Sequence, residues 1–364
     1  MYNKITIIGV GLIGGSLGLA LHKKYPDTQV TGVSSRKAVE SAIEIGAITD
    51  GCGYEEVETA VADADLVILC TPIHRIQGLL SVIAPSLKAG AVVTDVGSTK
   101  REIASHAASV LPEGVHFIGG HPMAGSEKSG VNASDPYLFQ NAIYVLCPAE
   151  GVPEDVLADF SSSIQHIGAK VIVLDSEIHD QVAAAVSHLP QIIAVTLVNL
   201  VGKKHGEDAP YLTLAAGGFR DMTRIASSPF TMWDDIFRTN KDAVQGTIDS
   251  FIESLTEVRE RIGSSDLGVD FEVSNMTRGK IPRDTKGFMT TLSELLVVVE
   301  DKPGVIAEIS TELSNNGINI KDIEVLKVRE GEGGTLRLAF DKKEQAVKAI
   351  DILEHLNYTA RLRS

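Results

Sequence analysis

The chain has 364 residues, 44% hydrophobic and 22% charged, a balance that suits two or three folded domains and excludes a disordered chain. A formal charge of −15 argues against a nucleic-acid partner, because phosphate binding needs concentrated Lys and Arg, yet one or two local Arg residues still suffice for an anionic substrate. Three scattered cysteines without a C-x-x-C pair or a Cys/His cluster suggest neither a metal site nor a disulfide framework, and a reducing cytoplasm is the expected compartment.

Residues 5–21 are apolar enough to resemble a signal peptide. Glycines at 9, 11, 14, 15 and 18 fit a strand, a turn and a helix better than a membrane span. No other stretch approaches ~18 apolar residues, so no membrane partner is expected. Short β-branched runs follow at 30–33, 66–70, 91–94, 116–118, 143–146 and 170–174, with helical periodicity at 37–45, 76–87 and 155–167. Such alternation predicts βαβ units and a mainly parallel sheet over residues 1–175, a Rossmann-type dinucleotide-binding domain in an α/β chain.

From residue 176 the strand signal fades. Helical patterns at 178–201, 211–226 and 231–262 predict an all-helical domain over 176–263, with helices so long that a second copy should help to bury them. Residues 264–288 are polar, with clustered Gly, Lys, Arg and Pro, and read as a linker. Over 289–364 the order is strand 293–299, helix 305–315, strands 320–328 and 335–340, helix 344–353 and strand 358–362. That βαββαβ order is ferredoxin-like α+β.

Gly9-Val10-Gly11-Leu12-Ile13-Gly14 directly follows the first strand and opens a helix. Gly9 permits the tight turn, Gly11 lets the backbone approach a pyrophosphate, and Gly14 lets helix and strand pack closely. An NAD site usually ends its second strand on an acid that holds the ribose hydroxyls. Here the chain continues Ser34-Ser35-Arg36, and two hydroxyls with a guanidinium suit a 2′-phosphate. That favours NADP+ slightly and leaves NAD+ or dual use open; alternatively Arg36 simply begins a solvated helix.

Gly119-Gly120-His121-Pro122 follows a strand of the same domain, so His121 is placed at the cofactor-facing end of the sheet as a base near neutral pH, or as a structural cap of its loop. Ser98, in Asp95-Val96-Gly97-Ser98-Thr99-Lys100, follows the preceding strand toward the same point. On the first helix of the second domain, Asp180 and His188 lie eight residues apart and share a face. Arg220 and Arg224 are i,i+4 neighbours, either able to clamp a carboxylate or to pair on the surface with Asp221. Trp233 is the only tryptophan.

Taken in order, G-x-G-x-x-G, Cys70-Thr71-Pro72, D-x-x-S-x-K, G-G-H-P-M-A-G, Ser187-His188-Leu189-Pro190 and G-F-R-D-x-T-R resemble the prephenate dehydrogenase family, with its arogenate and cyclohexadienyl relatives. The tail, with Asp301-Lys302-Pro303-Gly304 and Gly317-Ile318-Asn319-Ile320, resembles an ACT domain. The resemblance implies oxidative decarboxylation of prephenate to 4-hydroxyphenylpyruvate in tyrosine biosynthesis, by a cytoplasmic homodimer. It implies His121 on the substrate hydroxyl, Ser98 assisting it, and Arg224 on a substrate carboxylate. Ser126, Glu127, Asp180, His188 and Trp233 would shape the pocket, and Thr71 and Pro72 would touch the cofactor. Asp301, Pro303, Gly304, Asn319 and Ile320 would form a tyrosine-sensing site, or the tail would only strengthen the dimer. Gln191 departs from relatives that carry a second His there, which keeps arogenate open as the substrate. A β-hydroxyacid dehydrogenase and a non-catalytic amino-acid sensor are the other readings.

Overall fold

The structure is a computed structural model that describes residues 2–124, 128–205, 209–281, 292–329 and 333–363. Two compact units result, residues 1–264 and 265–364. In the first, eight strands form one sheet: β1 (Lys4–Ile8), β2 (Gln29–Val33), β3 (Asp50–Cys52), β4 (Leu66–Leu69), β5 (Val92–Asp95), β6 (His116–Pro122), β7 (Ile143–Pro148) and β8 (Lys170–Val173). Their order is β3-β2-β1-β4-β5-β6-β7-β8, parallel throughout except where β7 runs antiparallel to β6. The central strands read as unbroken apolar runs because helices such as Leu12–Lys24 and Ile73–Ile83 cover both faces.

Two differences from the sequence pattern matter. Strand β3 is only the edge triplet Asp-Gly-Cys, too short and polar to announce itself. Strand β6 runs four residues past the expected end at 118, because the antiparallel partner β7 pairs His121 with Val145 and Pro122 with Tyr144. His121 therefore sits within a strand instead of on a loop.

The helical half begins with a continuous run, Ser176–Gly202, of 27 residues. Its most apolar window has a mean hydropathy of 1.6, so it is long and apolar enough to cross a membrane by length and composition. That corrects the expectation that no such stretch exists beyond residue 21. Its buried polar residues His179, Asp180, His188 and Gln191 identify it instead as a helix packed within the first unit. Residues 184–188 widen into a π turn. Pro190 lacks the N–H that would bond the carbonyl of Val186, and the turn before it opens.

The other expected long helices are broken. Residues 211–226 become turns, a helix Gly217–Thr223 and a 3₁₀ turn Arg224–Ser227, with the Gly217-Gly218 pair starting the helix afresh. The 231–262 run divides into Phe230–Thr239 and Lys241–Arg261 at Asn240, whose side chain is committed elsewhere.

In the second unit the expected linker carries a helix, Leu267–Lys280. The Gly, Lys, Arg and Pro that suggested a linker cluster at the end of this helix and beyond it, while its interior holds Val269, Phe271, Val273 and Met276. Strands β9 (Ser293–Val299), β10 (Asp322–Arg329), β11 (Gly333–Phe340) and β12 (Thr359–Leu362) form an antiparallel sheet of order β10-β11-β9-β12. Its apolar face joins helices Val305–Asn315 and Lys343–His355 in one core around Leu295, Ile309, Leu338 and Leu353. This is the expected ferredoxin-like order.

Candidate functional site

The glycine turn has the geometry its spacing requires. Gly9 takes φ +98°, which favours glycine, and its N–H donates to the Val33 carbonyl at 2.8 Å. A Cβ on Gly14 would stand 2.3 Å from the Gly9 carbonyl oxygen, so helix Leu12–Lys24 packs closely on the turn only without one. At Gly11 a Cβ would meet nothing within 4 Å, leaving an open cradle. Gly11 at the N-cap offers no side chain, and among the described residues none caps this helix, so the first-turn amides of Leu12 and Ile13 are donors for an anion. These features fit a dinucleotide pyrophosphate. Ser34 is buried at the end of β2, Ser35 occupies the N-cap of the next helix, and Arg36 is 94% exposed and pairs with Glu40 at 3.1 Å.

At the carboxyl end of the sheet lies a cleft of about 480 Å³, lined by Thr71, Pro72, Ser98, His121, Ser187, His188 and Trp233 among others. Two halves of the first unit build it. Asp95, at the end of β5, is fully buried and pairs with the buried Lys100. Its carboxylate also accepts the Gly97 N–H at 2.8 Å and the Gly120 N–H at 3.3 Å. The loop carrying Ser98 and the strand carrying His121 are thus tied to one anion. The two glycines before His121 follow from this packing: a Cβ on Gly120 would stand 2.5 Å from the Asp95 carbonyl oxygen, and one on Gly119 3.1 Å from the Lys100 stem.

Helix Ser176–Ala183 closes the other side. Asp175 caps it, accepting the N–H groups of Glu177 at 2.8 Å and Ile178 at 3.2 Å. Its next carboxylate, Asp180, accepts the backbone N–H groups of Lys100 at 2.7 Å and Arg101 at 2.9 Å, where helix Arg101–Val110 begins. Asp180 is therefore 2% exposed and turned away from the cleft, holding the two halves together. Asn240 Nδ2 donates to the Asp180 carbonyl at 2.7 Å and lies 3.3 Å from His188 Nδ1. A second tie joins His74 to Asp235, ring nitrogen to carboxylate at 2.8 Å.

His121 Nδ1 lies 2.8 Å from His179 Nε2. Burial, together with His179, Lys100 and His188, holds His121 well below the usual histidine range. Burial also pushes His188 down to about 4, against the opposing pull of Asp180. Both are neutral imidazoles at pH 7. Trp233 packs edge-on to His188 at 6.1 Å between centroids and stacks on Phe237. Its indole Nε1 and the Thr71 hydroxyl are buried without a hydrogen-bond partner among the described residues.

Of the residues expected at the site, His121, Ser98, His188, Trp233, Thr71 and Pro72 share the cleft. Asp180 supports it from behind, and Arg224 is exposed on its 3₁₀ turn and does not line it. Ser126 and Glu127 lie outside the described residues. Sequence reasoning passed over Ser187, which lines the cleft, and gave no role to Asp95, Lys100, His179 and Asn240, which organise it. The D-x-x-S-x-K spacing and the His179-Asp180 pair carried that signal, since charges that fall inside apolar patterns need partners.

A glycine turn at the head of a parallel sheet and a histidine cleft at the same sheet's carboxyl end make this a Rossmann-type oxidoreductase. Comparison with known proteins narrows the class. Residues 17–173 match the model of the prephenate dehydrogenase nucleotide-binding domain, 175–272 that of the prephenate dehydrogenase dimerization domain, and 293–353 that of the ACT domain. The prephenate dehydrogenase of Bacillus subtilis is 36% identical over 97% of this chain and 96% of its own. That of Lactococcus lactis is 37% identical over 96% of this chain and 97% of its own. The Aquifex aeolicus prephenate dehydrogenase solved with hydroxyphenyl propionate and NAD+ superposes with a TM-score of 0.70 at 30% identity, over 76% of this chain and 97% of its own. Synechocystis arogenate dehydrogenase gives 0.68 at 30% identity, over 76% and 98%. The chain belongs to the prephenate dehydrogenase family.

The glycine geometry separates two roles. Gly14→Ala should cost about 1–3 kcal/mol of stability through the clash with Gly9. Gly11→Ala should leave the melting temperature unchanged and weaken cofactor binding at least tenfold. Calorimetric melting and a cofactor titration of both variants check this, and the same phenotype in both would contradict it.

Proposed function

We propose that the chain catalyses oxidative decarboxylation of prephenate to 4-hydroxyphenylpyruvate and carbon dioxide, with hydride transfer to a nicotinamide cofactor. The observation that carries this is the neutral, half-buried His121, which lines the cleft together with Ser98. The nicotinamide, when bound, supplies the hydride acceptor. His121 accepts a hydrogen bond from the hydroxyl on the carbon that loses hydride, and so stabilises the carbonyl character developing there. The carboxylate leaves as carbon dioxide, its electron pair restores the aromatic ring, and the proton stays with the phenol. Ser98 orients these groups from the neighbouring loop, while His188 and Trp233 give the cleft its wall. Arg224 is assigned to a substrate carboxylate.

Serines 34 and 35 with Arg36 favour NADP+ slightly over NAD+. The pairing of Arg36 with Glu40 on an exposed helix start supports the other choice, since nothing yet reserves that guanidinium for a phosphate. A cytoplasmic homodimer accounts for the exposed Val182, Val186, Leu200, Phe230 and Met232 of the helical half, which a second copy would cover. For the ACT unit we assign tyrosine as the effector. Its two motif turns, 301–304 and 317–320, lie at opposite ends of the 11-residue helix Val305–Asn315, about 16 Å apart. One small ligand reaches both only between paired copies.

Initial rates of reduced-nicotinamide formation, with prephenate and arogenate each against NAD+ and NADP+, test the reading. Turnover of arogenate alone would move the reaction to the amino-acid analogue, and no turnover in any pair would overturn the assignment. His121→Asn should lower kcat by ~10² to 10⁴ with cofactor binding retained, and Arg224→Ala should mainly raise KM. The depressed His121 places the acidic limb of log kcat/KM below pH 6.5; a limb at or above 6.5 would count against His121 as the acceptor. A chain ending at residue 289 should keep turnover and lose tyrosine inhibition, whereas undiminished inhibition would put tyrosine at the cleft.

A further inference from the structure

We infer that His179 and Asp180 form a hydrogen-bonded relay that fixes which ring nitrogen of His121 faces the cleft, making His179 a positioning residue for the reaction. The inference rests on the proposed role of His121, and it concerns a residue outside the cleft lining. The buried Asp180 and His179 and the half-buried His121 stand in line. Asp180 Oδ1 lies 2.8 Å from His179 Nδ1, and His179 Nε2 lies 2.8 Å from His121 Nδ1. The rings cross at 70° with centroids 5.1 Å apart, so the contact runs nitrogen to nitrogen and not face to face.

The direction of each bond follows from the first member. Both Asp180 oxygens already accept backbone N–H groups, from Lys100 at 2.7 Å and Arg101 at 2.9 Å, so the carboxylate can only accept from His179. His179 Nδ1 therefore carries the hydrogen and its Nε2 offers a lone pair. That lone pair takes the hydrogen of His121 Nδ1, and the nitrogen left facing the cleft, Nε2, is a bare acceptor. A free imidazole favours the opposite tautomer, with hydrogen on Nε2, which would present a donor to the substrate hydroxyl. The relay removes that alternative without any net proton transfer.

The surroundings reinforce this. Burial and the charge of Lys100 also disfavour a second hydrogen, and with it a positive charge, on the ring. The backbone N–H of His179 donates to the Asp175 carbonyl at 2.9 Å, which sets His179 in the first turn of the helix that Asp175 caps. Asp180 does two tasks at once: it closes the interface between the halves and sets the polarity of the relay.

The test reads the tautomer directly. Long-range proton–nitrogen correlation spectra of the full-length protein labelled at its ten histidines, with His121→Asn for assignment, should show His121 protonated at Nδ1 and bare at Nε2 near pH 7. A hydrogen on Nε2 would overturn the relay, whatever the activity. In parallel, His179→Leu removes the acceptor, whereas His179→Gln offers an amide oxygen near the same place. The expected result is a ~10²-fold loss of kcat in His179→Leu with KM and cofactor affinity within about threefold, and a loss of no more than ~10-fold in His179→Gln. Equal losses in the two folded variants, or native kcat in His179→Leu, would reduce His179 to a packing residue. If His121→Asn kept normal turnover, the reading of His121 itself would fail, a result distinct from a wrong tautomer.

Discussion

The buried pair Asp95–Lys100 is the constraint on which the first unit's chemistry depends. Removing two charges from water is costly, and the cost is met only where every remaining lone pair finds a donor. Asp95 achieves this by accepting from Gly97 and Gly120, so the loop after β5 and the last turn of β6 cannot drift apart. Glycine at 120 then becomes obligatory, because a Cβ there would push into the Asp95 backbone, and a Cβ at 119 would crowd the Lys100 stem. His121 inherits its position from that packing.

Docking of the helical half follows the same electrostatic logic. Helix Arg101–Val110 begins directly after Lys100 and has no side-chain cap of its own. Asp180 supplies one from another element, accepting the N–H groups of the N-cap residue Lys100 and of Arg101 and meeting the positive end of the helix dipole. The cleft thus exists only when the halves are joined. The apolar face of the run Ser176–Gly202 remains largely open in a single copy, with 22% of its most apolar window buried. A helix with a catalytic inner edge and an apolar outer face is well suited to join a dimer, because association then also stiffens the wall of the cleft.

Much of this was legible in the residues. The strand–glycine–helix start, the βαβ alternation and the βαββαβ tail follow from period, turn chemistry and order. The sharper misses share a cause: local pattern carries no information about partners distant in sequence. The break at Asn240 is set by hydrogen bonds to residues 180 and 188, some 50 to 60 positions away. The π turn depends on one missing N–H at Pro190 and left no mark on the hydrophobic period. Strand β6 ran on to Pro122 because of β7, which lies beyond residue 140. The resemblance alone placed Asp180 in the pocket; its burial against two backbone amides shows support. Arg224, an arginine in a strong motif, is likewise not gathered into the cleft by one chain alone.

An acidic chain that is to hold an anionic substrate and an anionic cofactor needs local positive potential without a general excess of cations. The described cleft provides little free positive charge, since Lys100 is neutralised by Asp95 and both histidines are kept neutral by burial. Attraction for the cofactor falls instead to the uncapped start of helix Leu12–Lys24, a dipole that costs no desolvated cation. A neutral imidazole serves the proposed chemistry better than a charged one. Hydride departure leaves positive character on the hydroxyl-bearing carbon, which an imidazolium would oppose and a lone pair stabilises. The charges buried around His121 are therefore arranged to keep it an acceptor, and the buried Asp95–Lys100 pair serves position instead of binding.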